Sequence, residues 1–428
     1  MRFTVLDGWR GIAALSVALY HLRAAGHFYD APLVRHAFIF VDFFFVLSGF
    51  VLLHAYRSRL HDATQLKPFI LSRFGRIYPL HIAIVLLFVA FECARLAASA
   101  RGGVFTMARR PFTEEASPWA IVTNVFLVQG LGVNRGLTLN LPSWSISAEF
   151  WTYLIFAAVC LGTGMRTKAV AVAAALLACG GAAVVAVFSH YYIDTSYDFG
   201  LFRCLYGFFI GVLTYMAFKA MQSMQIGRTA ATVCEALTLA AIVAFVSYAG
   251  DNLLSLASPV FFAGVVAVFA FERGVVSDIL KTKPVAILGL LSYSIYMVHS
   301  VVLLFLHQGF MVLQKLTGTV MVVKMPVEHG VQTDFVNVGG PWVMDALAIA
   351  YLLIVVGCSL VTYRMIEDPG RRYFARLAGT SRKGDTRKGD SGRADRSIAH
   401  ETIGTGAITA NEPAMALARQ TLPAETAS

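Results

Sequence analysis

Apolar residues in this chain come in long runs, each broken by a short polar stretch. Ten runs are long enough to cross a bilayer, near 9–25, 37–55, 78–97, 147–163, 169–188, 200–218, 232–250, 256–272, 284–308 and 342–364. A helix rising about 1.5 Å per residue needs about 20 residues for a hydrocarbon core about 30 Å thick. Glycines and polar residues inside several runs fit helices that pack on helices rather than on lipid. The pattern predicts an all-α fold over residues 1–374: a polytopic transmembrane helical bundle of about ten helices. From 375 to 428 the pattern ends. The stretch "SRKGDTRKGDSGRAD" is charged and repetitive, so a disordered cytoplasmic tail is expected there. Its "GDS" triplet has no strand before it and too little chain around it for a hydrolase domain.

Charge placement orients the bundle. Arg57, Arg59, Lys67, Arg73, Arg76, Arg166, Lys168, Lys219, Arg228, Arg273, Lys281 and Lys283 fall on one side, with the tail arginines. The loops "HYYIDTSYD" and "GDNLLS" on the other side hold no lysine or arginine. Basic residues belong inside, so both termini are expected in the cytoplasm. The formal charge of +10 therefore reflects membrane topology, and no nucleic acid is expected as a partner. Hydrophobic residues make up 57% and charged residues 14%, which excludes an ordinary soluble domain. The six cysteines are scattered without any CxxC, so neither a metal site nor a disulfide framework is indicated. Asp7 and Arg10 argue against a cleaved signal peptide.

Ionisable groups inside a membrane are costly, so each is a functional candidate. Arg10 and His21 are eleven positions apart, about three turns, and share one face of the first helix with ~16 Å of rise between them. Asp42 enters near the outer end of the second helix, where it is expected beside His21, fixing its tautomer. Below it, "LSGF" brings Ser48 and Gly49, a serine and a glycine that permit close approach. Glu149 in "PSWSISAEFW", Arg203, and His299 in "SYSIYMVH" share the same outer depth band, and Trp144 and Tyr296 accompany them. Any one alone is equally well a satisfied core group, but together they favour a buried polar chamber. Arg73 and Arg76, on the inner side, answer either to topology or to a phosphorylated cytosolic ligand, which arginine grips bidentately.

The segments "LDGWRGIAALSVALYH", "VDFFFVLSGFVL", "RFGRIYPL", "PSWSISAEFW" and "SYSIYMVH" resemble, in order, the motifs of the acyltransferase family 3 membrane proteins. The resemblance covers roughly residues 5–370. It implies a ten-helix fold and acyl transfer from cytosolic acyl-coenzyme A to a hydroxyl, often on the outer side. The family's essential arginine and histidine map onto Arg10 and His21, and its RxxR pair onto Arg73 and Arg76. "SAEFW" departs from the family pattern, which often carries a second acid and a glutamine there, so the role of Glu149 stays open. The chain looks like a stand-alone member without a fused hydrolase-like domain.

The expectation is a multi-pass protein of the bacterial inner (plasma) membrane that moves an acyl group, acetyl first among the candidates. No cofactor is expected to be held permanently, and acyl-coenzyme A is the donor substrate. A carbohydrate or glycolipid is the acceptor. His21, Asp42 and Arg10 are the expected catalytic residues; Arg73, Arg76, Ser48 and Gly49 are expected to hold the donor. Glu149, Arg203, His299, Tyr296 and Trp144 are expected on the acceptor side. His21 is read either as general base or as a covalent acyl carrier. Gly49 is a candidate backbone donor for the oxyanion. A transporter with a His21–Asp42 proton relay is the alternative, disfavoured by the lack of paired interrupted helices.

Overall fold

A computed structural model describes residues 2–101, 109–250, 252–326 and 332–379. Helices occupy all ten predicted spans: α1 (Thr4–Leu22), α2 (Phe40–Tyr56), α3 (Leu66–Ala100), α4 (Trp144–Thr163), α5 (Thr167–Phe188), α6 (Gly200–Met221), α7 (Arg228–Ala249), α8 (Ser258–Phe269), α9 (Lys283–Thr317) and α10 (Pro341–Thr362). Eight of the spans are long and apolar enough to cross a membrane unaided; α1 and α8 are the other two. α1 carries Asp7, Arg10 and His21 among alanines and glycines, so it depends on neighbours rather than lipid. α8 has 12 residues, ~18 Å, short of a bilayer core about 30 Å thick, and a 3-10 turn at Leu253–Ala257 extends it. The chain is a polytopic helical membrane protein.

α1, α2 and α6 form the interior, while most of α5 and α7 faces outward. One apolar core joins Phe43, Phe45 and Phe50 of α2 to Phe208 and Phe209 of α6 and Phe262 of α8. A second joins Ala14 and Ala18 of α1 to Ile295 of α9 and Tyr351 of α10. Missing side chains set the closest approaches. A methyl group on Gly49 would collide with the Phe208 carbonyl, and one on Gly211 with the Val46 carbonyl. Gly49 and Gly211 therefore bring the backbones of α2 and α6 together, the small-residue packing that membrane helices use in place of a hydrophobic drive.

The stretch 309–341, between the ninth and tenth predicted spans, is more than a connection: α9 continues to Thr317, where Gly318 caps it at φ +71°. At 35 residues α9 is ~52 Å long, so it overshoots the bilayer. A hairpin follows, β1 (Val322–Pro326) antiparallel to β2 (Gln332–Val336). It docks on the exit of α1: Val336 N donates to Arg23 O at 3.1 Å, and Ala25 N donates to Val336 O at 3.1 Å. At the inner end, a π-helical turn (Tyr363–Glu367) links α10 to α11 (Asp368–Leu377). Residue 374 lies within α11, and the expected disordered tail falls, from 380 on, outside the described residues.

Candidate active site

The outer end of α1 delivers His21 beside His299 of α9, with ring centroids 5.0 Å apart and planes inclined by 39°. His21 Nδ1 lies 2.8 Å from Val17 O, and His299 Nδ1 lies 3.2 Å from Ile295 O. A carbonyl can only accept, so each neutral ring carries its hydrogen on Nδ1 and presents a lone pair at Nε2. His299 is fully buried and its Nε2 has no partner among the described residues. His21 is half-buried.

The surroundings are tied down. Tyr296 Oη lies 2.8 Å from Ser145 Oγ and 3.1 Å from Pro142 O, which joins α9 to the start of α4. Asn140 Nδ2 donates to Met297 O at 3.2 Å, and Ser300 Oγ donates to Asn140 Oδ1. Tyr351 of α10 reaches the carbonyls of both Ala18 and His299 at 3.3 Å, fixing α1 against α9 at the level of the two imidazoles.

Asp42 is not the partner of His21. Its carboxylate is fully buried and takes both ends of the Arg203 fork, Nε to Oδ1 at 3.0 Å and Nη2 to Oδ2 at 2.9 Å. Arg203 also donates to Thr195 O at 3.1 Å and Phe38 O at 3.3 Å, and its guanidinium lies 5.5 Å from the ring of Trp144. Each charge has its counterion, and the pair ties α2 to α6 with Trp144 of α4 against the guanidinium. Sequence fixes depth along a helix but not the direction a side chain takes around it, and Arg203 reaches Asp42 first. Gly49, expected as an oxyanion donor, lies on the face of α2 turned toward α6 and serves helix packing.

At the inner level, Arg76 has Arg10, Arg73 and Glu367 within electrostatic reach. Arg10 is half-buried and lies 3.7 Å from Asp7. The guanidinium of Arg73 lies 5.6 Å from the ring of Tyr56, and its buried Nε has no partner among the described residues. Glu367 is buried, and Ser294 Oγ donates to it at 2.6 Å. Arg10 and Arg76 thus lie within reach of one buried carboxylate, with Arg73 close to Arg76, a gathering of positive charge suited to an anion. Glu149 stands on α4 between the rim and the outer chamber, receiving Ser48 Oγ and, at 2.5 Å, Tyr153 Oη.

The acyltransferase domain family matches residues 3–364, almost the whole helical bundle. The chain belongs to acyltransferase family 3. Three curated relatives in this comparison align with 36% of the chain. Protein 2 in picA locus of Rhizobium radiobacter is 33% identical over 160 residues, 81% of its own length. The acyltransferase MdmB of Streptomyces mycarofaciens is 33% identical over 166 residues, and the peptidoglycan O-acetyltransferase OatA of Listeria monocytogenes is 30% identical over 161. Those two alignments reach 38% and 24% of the relatives' lengths. No solved structure matches. Family membership makes the chain an acyl-transferring enzyme.

Several residues of this acyltransferase escaped the sequence reading. Glu367 was hidden among the basic residues that end the last span, although the cost of burying a charge singles it out as it does His21. Ser294, Tyr153, Asn140 and Tyr351 are neutral, and nothing in their spacing marks them.

Proposed function

We propose that this protein is a membrane O-acyltransferase of the bacterial inner membrane. It takes an acetyl group from cytosolic acetyl-coenzyme A and passes it to a hydroxyl of a cell-surface or lipid-linked carbohydrate. The observation that carries the reading is the division of α1: an arginine rim at one end, an imidazole with a free lone pair at the other, ~16 Å apart. Arg10, Arg73 and Arg76 offer forked donors to the coenzyme A phosphates. The long, thin pantetheine arm runs along α1 and brings the thioester to His21. His21 Nε2 takes the hydroxyl proton while Nδ1, held by Val17 O, keeps the ring in the tautomer that this step needs. The O-acetyltransferase relative supports acetyl as the acyl group and a glycan as the acceptor.

The proton-relay reading loses its support, because the carboxylate it requires is bound to Arg203. The test uses membranes of the source cell, which carry the natural acceptor, with radiolabelled acetyl-coenzyme A. Label should enter glycan or glycolipid with the wild type and not with His21→Ala. Transport of a solute without covalent label would overturn the proposal.

A further inference from the structure

We infer that His299 is the positioning partner of His21 and supplies a place for the charge that His21 acquires during transfer. The inference rests on the acyl-transfer reading. Its basis is a polar atom that the resting structure leaves unsatisfied. His299 is fully buried, its Nδ1 is committed to Ile295 O, and its Nε2 has no partner among the described residues. Buried polar atoms are nearly always paired, so an orphan in native structure calls for a reason. The ring centroid of His21 is 5.0 Å away, and that of Tyr296 is 5.9 Å away, with its hydroxyl already shared between Ser145 and Pro142.

The reaction gives the orphan a use. The acceptor oxygen bonds to the thioester carbonyl carbon as its proton passes to His21 Nε2. The tetrahedral intermediate collapses with cleavage of the C–S bond, and the coenzyme A thiolate takes that proton back from His21. Protons balance, and no further reactant is needed. Between the two transfers His21 is an imidazolium, and the ring of His299, its Nε2 unpartnered among the described residues, lies 5.0 Å from it, centroid to centroid. The interaction is absent before transfer and present during it, so it lowers the barrier rather than tightening substrate binding. In other acyl-transfer sites a carboxylate supports the imidazolium. Here the nearby carboxylate, Asp42, is bound elsewhere, and a neutral imidazole stands in its place. Tyr351 holds the backbone of both partners by bonding the Ala18 and His299 carbonyls.

The experiment measures label transfer from radiolabelled acetyl-coenzyme A in source-cell membranes holding equal folded amounts of wild type, H21A, H299F, H299Q and H299N. H299F should lower kcat roughly 10- to 100-fold, the size of one hydrogen bond to a charged group, with KM for acetyl-coenzyme A unchanged. H299Q places an amide near the lost Nε2 and should recover most of the rate. H299N is too short to do so and should behave like H299F. Wild-type kcat in H299F, or equal losses in H299Q and H299N, would overturn the inference. If H299F does not fold, the contrast of glutamine with asparagine decides. H21A at the wild-type rate would overturn this inference and the acyl-transfer reading together. An inactive H21A beside a fully active H299F would overturn this inference alone.

Discussion

The Asp42–Arg203 pair joins α2 to α6 and the His21–His299 pair joins α1 to α9, and they differ in what they leave over. Asp42 gives both oxygens to one guanidinium, and Arg203 spends two further hydrogens on the Thr195 and Phe38 carbonyls. The histidines each spend one nitrogen on a helix carbonyl and keep the other. A satisfied buried charge holds helices in register. An unsatisfied buried nitrogen is available to something that arrives. An ionisable residue inside a membrane protein is thus a candidate for chemistry only after its partners have been counted.

The contrast can be broken by mutation, and the largest effect should come from the unsatisfied pair. Replacing His21 by glutamine should reduce transfer by about 10²–10⁴, the usual share of a general base, with no change in thermal unfolding of the detergent-solubilised protein. The next largest belongs to the satisfied pair. Asp42→Asn strands a buried guanidinium and should cost about 3–5 kcal/mol of stability, read by denaturant unfolding. Removing both charges together, as Asp42→Leu with Arg203→Met, should be less damaging than the single change, because a buried pair is often replaceable by apolar side chains of similar volume.

The inner rim gives a third kind of response. Arg73→Ala or Arg76→Ala should raise KM for acetyl-coenzyme A by about tenfold, one charge-assisted bond apiece, and leave kcat near its starting value. The smallest effect is expected at Tyr296. Tyr296→Phe removes the hydroxyl shared by Ser145 and Pro142 and should cost about 1 kcal/mol of stability, with most of the transfer rate kept.

Most of the helical framework was legible because hydropathy and the length of an apolar run are properties of single segments. All ten spans are helical, and Arg10 and His21 lie at opposite ends of α1 as their spacing requires. Partners were not legible, because they depend on how helices rotate about their own axes. Asp42 was expected on His21 and is found on Arg203, and Gly49 was expected at the chemistry and is found in helix packing. The hairpin after α9 was missed for another reason. Its strands are short, and the apolar residues of 309–317 continue a helix instead of opening a loop.

The most direct measurement sets His21→Gln beside Asp42→Asn and determines acetyl transfer per folded molecule for each. The account predicts that His21→Gln folds like the wild type and does not transfer. It predicts that Asp42→Asn unfolds more readily, yet its folded fraction transfers at close to the full rate. A His21→Gln protein that transfers normally, or a folded Asp42→Asn protein that does not, would contradict it.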